Sequence, residues 1–438
     1  MFDKINLKPT QILVLGVLSY IIFGMILISL PICQKSPISF IDNLFSIVSA
    51  VSTTGLLTVS VADNYTWYGQ LVLVIMFQLG GWGFMTTTSF FFLAVNNNMS
   101  RNRIKILNTS YCLPEDFDIK KFIRNTVLFT LIIEIIGAVL LWIFFSKANM
   151  PDALWSAVFH SVSAFATAGF GMYNNSLMDF SLNVPVNLTI GILCYFGAIG
   201  FIVLQDLYYN FKKKKKITFT SKVILYMTLI IFVLGTVFFY FTEPSIQTMC
   251  IGDRLLVSVF QIMSASTTAG FNSIDISILS RAALFLVIIV MIIGASPSGT
   301  GGGIKTTSVS ALSGVISSII KKREVVVFMN HEIPMNRVFN AVAATTIYVT
   351  VLSIGMFLLS ITDIFEFEKL FFEAASALGT VGLSTGITSS LSYAGKIIII
   401  ILMYLGRVGP ISIGISLFGI RKEKNRLKIF YKKDDLAV

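Results

Sequence analysis

Apolar positions gather into eight long runs, at residues 11–31, 71–95, 125–146, 185–205, 223–242, 282–320 with a break, 338–360 and 397–420. A helix rises about 1.5 Å per residue, so about 20 apolar residues cross the roughly 30 Å hydrocarbon layer. The pattern therefore predicts eight spanning helices. Between the members of each pair lies a shorter, half-apolar stretch: 40–52, 152–166, 253–266 and 366–378. These have 13 to 15 residues, too few to span. Each has an acidic residue near its first turn, Asp42, Asp152, Asp253 or Glu366, which suits the positive end of a helix dipole. They read as four re-entrant helices that dip into the membrane and return.

Composition agrees with an all-α polytopic membrane protein. Of 438 residues, 55% are hydrophobic and 13% charged, against roughly 25% charged in soluble domains, and the mean hydropathy is +0.82. The first run follows Lys4 and Lys8 and has no small-residue cleavage site before Pro31 and Ile32, so it reads as a span and not as a removable signal. Two histidines, His160 and His331, and four cysteines, Cys33, Cys112, Cys194 and Cys250, form no CxxC, HExxH or metal-finger spacing. Metal catalysis is not expected on that pattern. Cys33 and Cys250 both fall toward the outer side, within reach of a disulfide in principle, but the sparse spacing reads more simply as free thiols.

A net charge of +11 would suggest a nucleic-acid partner for a soluble chain. Here position matters more than the sum. With the amino terminus inside, 25 of the 33 Lys and Arg residues fall on inner segments, which by the positive-inside rule puts both termini in the cytoplasm of a cell membrane. Nucleic acid is not the expected partner. On the outer side, ten acidic residues face six basic ones; this reads either as a weak field that concentrates cations or as plain loop solvation. Lys305 and Arg407 fall at membrane depth.

The tails of the four short stretches repeat one string: SAVSTTGL at 49–56, SAFATAGF at 163–170, SASTTAGF at 264–271 and SALGTVGL at 376–383. All obey SAxxTxG followed by Leu or Phe, and the glycines Gly55, Gly169, Gly270 and Gly382 are spaced by 114, 101 and 112 residues. This predicts four tandem units of spanning helix, re-entrant helix and spanning helix about one axis: 1–95, 96–210, 211–320 and 321–420, followed by a basic cytoplasmic tail, 421–438. A dehydrated cation needs oxygen ligands, which a ring of four extended loops supplies through backbone carbonyls. Glycine permits the positive φ that such a loop requires. The expected filter is Thr53, Thr54 and Gly55; Thr167, Ala168 and Gly169; Thr268, Ala269 and Gly270; and Thr380, Val381 and Gly382. Irregular backbone at membrane depth is tolerated where it lines a wet cavity, so its fourfold presence argues for a pore.

Over nearly its whole length the chain resembles the membrane subunits of the Trk/Ktr/HKT superfamily of K⁺ transporters, and its short tails make the bacterial Ktr type the nearest in form. The resemblance implies a K⁺ channel-like fold of four repeats about a pseudo-fourfold axis, with one filter glycine per repeat. It implies K⁺ as the cargo, with K⁺ selectivity from Gly55 where Na⁺-admitting relatives often have Ser, and Na⁺ as a coupling or activating ion. It also implies a homodimer on a cytosolic RCK-type ring that binds ATP, ADP or a cyclic dinucleotide. Thr167 stands where many bacterial relatives have Asn and Thr267 where many have Arg, both beside intact glycines. The chain has no GxGxxG before a βαβ pattern, so a nucleotide site belongs to the partner and no organic cofactor is expected here.

Residues 296–303, Ser296, Pro297, Ser298, Gly299, Thr300, Gly301, Gly302 and Gly303, break the sixth span, since five Pro and Gly in eight residues cannot continue a helix. In the superfamily this stretch looks like the intramembrane loop below the filter that acts as a gate; a passive connector between two half-helices is the other reading. Arg407, in LGRVGP, corresponds to the family's Arg just below the filter, where it serves as a barrier or as a latch for the loop. The structural alternative is a pair with Glu373 or with the last carbonyls of a half-helix. Lys305 stands between the same two readings. QLGGWGFM at 78–85 and FGAIGFIV at 196–203 read as small-residue packing surfaces, and the Lys run 212–216 with the tail as anchors on anionic lipid or contacts for the ring. An alternating-access secondary transporter is the alternative function. An enzyme is not expected, because ionisable residues at membrane depth are isolated.

Overall fold

The structure, a computed structural model, describes residues 9–83, 86–87, 89–90, 119–214, 216–409 and 412. Its helices fall in four successive sets. The first holds α1 (Pro9–Ile28), α2 (Phe40–Ser52), a single turn α3 (Val61–Asn64) and α4 (Trp67–Trp82). The second holds α5 (Ile119–Lys147), α6 (Ala153–Phe165), α7 (Val184–Ile199) and α8 (Phe201–Lys213). The third holds α9 (Phe219–Thr242), α10 (Ile251–Thr267), α11 (Arg281–Ile292) and α12 (Thr306–Ile320), and a two-residue hairpin, Val327–Phe328 against His331–Glu332, leads to the fourth. That set holds α13 (Met335–Thr362), α14 (Phe367–Gly379) and α15 (Tyr393–Val408).

Among the described residues, four helices are long and apolar enough to cross a membrane unbroken, and they open the four sets: α1, α5, α9 and α13. Their outer faces present unpartnered apolar side chains at helical spacing, such as Ile132, Ile135, Ile136 and Val139 on α5 and Leu229, Val233, Leu234 and Val237 on α9. Lipid satisfies such a surface where water would not. The short helices lie at the centre instead, with Ala374, Ala375, Ala377 and Leu378 of α14 fully buried.

Packing between sets closes on itself. The α4 helix packs on α6, α7 on α10, α11 on α14, and α15 returns to α2. An ion pair between Lys396 Nζ of α15 and Asp42 Oδ1 of α2, at 2.8 Å, ties the last set to the first.

The second helix of each pair departs from the sequence expectation of a continuous span. The predicted run 71–95 stops at Trp82, 185–205 at Ile199 and 397–420 at Val408, each followed by a glycine at positive φ: Gly83 at 76°, Gly200 at 95° and Gly409 at 86°. Three residues before each turn another glycine, Gly80, Gly197 or Gly406, lies directly against a backbone carbonyl of a short helix, that of Val51, Phe165 or Leu378. A Cβ would prevent that approach. Each helix thus stops where it meets the end of a short helix, and α7 bends into α8 by 99°. The α8 helix runs through the expected unit boundary at 210/211. In the third set the break is wider than predicted, from 293 to 305, because the chain doubles back and Gly294 packs against Gly303, whose Cα lies 2.7 Å from where a Cβ would stand. The boundaries at 95/96 and 420/421, Cys112, the basic cluster 101–118 and the tail 421–438 lie outside the described residues.

Candidate functional site

Each short helix ends in the same hydrogen-bonded turn. The threonine after it, Thr53, Thr167, Thr268 or Thr380, sits in the left-handed region with φ of 55°, 51°, 56° or 51°. Its N–H bonds the Ala carbonyl three residues back, that of Ala50, Ala164, Ala265 or Ala377, at 3.0 to 3.3 Å. The next N–H, of Thr54, Ala168, Ala269 or Val381, reaches the Ser carbonyl five back at 2.8 to 2.9 Å. This is a Schellman termination with threonine where glycine is usual. The SAxxT string therefore encodes a helix stop that turns the chain to run along the central axis.

The four glycines that follow meet one another. All have positive φ, 96° at Gly55, 68° at Gly169, 79° at Gly270 and 94° at Gly382. A Cβ on Gly55 would stand 2.6 Å from the Ala168 carbonyl oxygen, and one on Gly169 2.6 Å from that of Ala269. Gly270 faces the Val381 carbonyl and Gly382 that of Thr54 in the same way. The contacts run from the first loop to the second, third, fourth and back, so four backbone carbonyls alternate with four glycines in a closed ring. All twelve expected filter residues lie in these loops. Support differs between them: Gly55 N–H donates to Ser49 Oγ and Gly382 N–H to Ser376 Oγ, each at 3.0 Å, while Ser163 and Ser264 Oγ have no hydrogen-bond partner. Above the ring opens a mainly polar cavity of about 320 Å³ that has all four glycines in its wall together with Thr58, Asp63, Asn174 and Asn272.

The loop 293–305 closes the other side. Thr300 is its tip: its carbonyl accepts from Thr53 Oγ1 at 3.2 Å, and its Oγ1 pairs with Thr167 Oγ1 at 2.8 Å. Gly302 N–H donates to Thr380 Oγ1 at 2.9 Å, and Gly301 lies against Thr268 Oγ1. One loop therefore touches all four threonines directly below the ring. Its near end rests on the turned second helix, with Ser296 N–H on Ala198 O at 3.2 Å and Thr300 N–H on Gly197 O at 3.1 Å. Ser298, at φ 61°, accepts Phe201 N–H on its carbonyl and Ile202 N–H on its Oγ, while Pro297 O lies against Gly200. Gly299 N–H returns to Ser296 O at 3.2 Å, and Gly303 turns at φ 72°.

Arg407 joins three of these parts. Its guanidinium donates to Thr53 Oγ1 at 3.0 Å, to the Thr300 carbonyl and to the Gly80 carbonyl at the end of α4. The expected alternative pair with Glu373 does not form, because the Glu373 carboxylate is filled by Ser384, Thr385 and Thr388; contact with half-helix carbonyls and contact with the loop both do. Lys305 Nζ donates to Gly301 O at 2.7 Å, within the loop's own turn. Cys33 is buried, Cys250 is exposed, and both are free thiols. Sequence reasoning missed the fourfold engagement of the threonine hydroxyls by Thr300 to Gly302, since nothing local to Thr300 signals it. It also missed Gly80 as an acceptor for Arg407.

Apolar outer helices around a central ring of backbone carbonyls define a multi-pass helical membrane protein. Residues 14–425 match the sequence model of the TrkH family, described as cation transport proteins, and the chain belongs to that family. It is 33% identical over 414 residues to the Ktr system potassium uptake protein B of Bacillus subtilis, covering 93% of this chain and 92% of the relative. It is 31% identical over 425 residues to the protein of that name from Vibrio alginolyticus, covering 95% and 92%. Likeness to the potassium/sodium uptake protein NtpJ of Enterococcus hirae is 32% over 442 residues, covering 99% and 97%. The crystal structure of the potassium transporter TrkH from Vibrio parahaemolyticus shares the fold, with a TM-score of 0.74 at 20% identity over 94% of this chain and 86% of that one.

Proposed function

We propose that the chain is a K⁺ uptake pathway made of four tandem units of spanning, re-entrant and turned second helix, with Thr53 to Gly55, Thr167 to Gly169, Thr268 to Gly270 and Thr380 to Gly382 as its selectivity filter. The observation that carries this reading is the closed ring in which each glycine faces the carbonyl of the next loop. Such carbonyls replace the hydration shell of a dehydrated cation, and relatives at 31% and 33% identity are named potassium uptake proteins. Na⁺ enters as a second or coupling ion, in keeping with the name of the Enterococcus relative.

The loop 293–305 is the gate, and this conformation is closed: Thr300 stands on the axis below the ring, and Arg407 latches it through the Thr300 carbonyl. Opening requires the tip to leave four threonines and one guanidinium together. The functional unit is a homodimer in the cytoplasmic membrane with both termini inside, on a cytosolic RCK-type ring whose nucleotide shifts the loop. The decisive experiment is cation flux in liposomes holding the purified chain, under opposed K⁺ and Na⁺ gradients, with Gly55→Ser beside the wild type and the regulatory ring added in a parallel set. A K⁺ preference that Gly55→Ser weakens supports the filter; an equal K⁺ and Na⁺ flux in the wild type, or none with the ring present, rejects it.

A further inference from the structure

Seven residues before each filter threonine, the four short helices carry Ser46, His160, Gln261 and Glu373. All four side chains are fully buried behind the loops. Two of them grip the chain that leaves the filter. Glu373 Oε1 accepts from Ser384 Oγ at 2.5 Å, Thr385 N–H at 3.0 Å and Thr385 Oγ1 at 3.4 Å, and its Oε2 accepts from Thr388 Oγ1 at 2.8 Å. His160 Nε2 accepts from Met172 N–H at 3.4 Å, while its Nδ1 pairs with Ser156 O at 2.7 Å. A proton on Nδ1 leaves Nε2 as the acceptor, so that bond fixes the tautomer.

Thr385 and Met172 occupy one position, five residues after Thr380 and Thr167. The two side chains thus perform the same task on two loops, and those loops are opposite, since Gly169 and Gly382 are separated in the ring by Gly55 and Gly270. The third loop has no such grip: both amide atoms of Gln261, and Ser273 Oγ at the matching position, lack a hydrogen-bond partner.

We propose that Glu373, and more weakly His160, are positioning residues for ion selection that pin the outer ends of opposite filter loops; this rests on the filter reading above. The Schellman turn fixes the inner end of the fourth loop and Glu373 the outer end, so the Val381 and Gly382 backbone between them is held at both sides. A carboxylate carries out this task better than a neutral acceptor, because hydrogen bonds to a charged oxygen are shorter and about twice as strong. A ring that keeps its width discriminates by size and field, and one that relaxes admits a smaller ion.

The test measures K⁺ over Na⁺ uptake by the full-length chain in liposomes, with thermal unfolding of the same samples. Glu373→Gln keeps an oxygen for Thr385 N–H and offers an N–H to the Thr388 hydroxyl, so preference stays within about threefold of wild type; Glu373→Ala removes every bond and lowers it about tenfold or more. Ser384→Ala with Thr388→Val, which leaves Glu373 in place, gives an intermediate loss and serves as the readout if the alanine variant does not fold. A purely structural role would lower the unfolding temperature and the uptake rate together and leave the ion ratio unmoved. Wild-type preference in folded Glu373→Ala, or in the double variant, overturns the proposal. If Gly55→Ser still shifts the ratio in that background, only the clamp falls and the filter stands; a wild type without preference overturns both.

Discussion

Replacing Arg407 with Met separates a latch from a brace. The guanidinium bonds the loop at the Thr300 carbonyl and the framework at Thr53 Oγ1 and Gly80 O. A hydrogen bond to a charged group has a net value of about 1.5–3 kcal/mol. On the gate reading the Thr300 bond distinguishes closed from open, so its loss shifts that equilibrium by about 10- to 150-fold at roughly 1.4 kcal/mol per decade. While the closed state dominates, flux rises by nearly the same factor and levels off once the open state is the majority. The two framework bonds act on the folded state as a whole and lower the unfolding temperature without favouring either position of the loop. The assay is K⁺ flux in liposomes containing Arg407→Met, Arg407→Lys and wild type, with the regulatory ring absent, beside thermal unfolding in detergent. Lys, with a single compact ammonium, cannot reach all three acceptors and falls between. An Arg407→Met protein that unfolds earlier but passes K⁺ at the wild-type rate would refute the latch and leave Arg407 as a brace between α4 and α15.

Deleting residues 298–302 removes every contact between the loop and the four threonines, so K⁺ flux rises and becomes independent of the regulatory ring; unchanged flux and regulation speak against the gate. Gly197→Ala forces a methyl group against the Phe165 carbonyl and 2.9 Å from Thr300 Oγ1, an overpacking that costs about 1–3 kcal/mol and is read as an earlier thermal transition. Lys396→Met breaks the pair that joins the first and last sets. Partial burial works against ionisation of Asp42, yet the bonds from Lys396 and Ser39 hold its carboxyl below the usual aspartate value. The pair's contribution is therefore complete above about pH 4, the unfolded aspartate value, and disappears as pH falls through the lower folded value. The difference in unfolding temperature between wild type and Lys396→Met should be constant from pH 8 to about 5 and shrink in stronger acid; a difference that grows in acid would show that Lys396 acts otherwise.

What the sequence disclosed and what it withheld divide along one physical line. The four SAxxTxG strings were legible because every bond in the turn is local, with serine four and alanine three residues before the threonine and glycine two after it. The fourfold repeat also marks the short helices as one kind of element. The early stops of the second helices were harder to read. Gly83, Gly200 and Gly409 sit inside runs that remain apolar, and hydropathy, which governs span length, is indifferent to a glycine whose φ is set by a carbonyl on another helix. The small-residue patterns at 78–85 and 196–203 did announce close packing, yet not that the helix would end there, since the stop depends on Val51 and Phe165 arriving from more than twenty residues away. Arg407 was conspicuous as a charge in an apolar run, but it bonds two backbone carbonyls and a threonine, and carbonyls have no signature in a sequence. Glu373 shows the same limit from the other side. Its charge invited a partner of opposite sign, and the fold gave it three hydroxyls and one amide from a segment rich in Ser and Thr, 384–390. In a membrane interior the cost of a buried charge is met by whatever donors the backbone brings near, so a local search for the opposite charge asks the wrong question there.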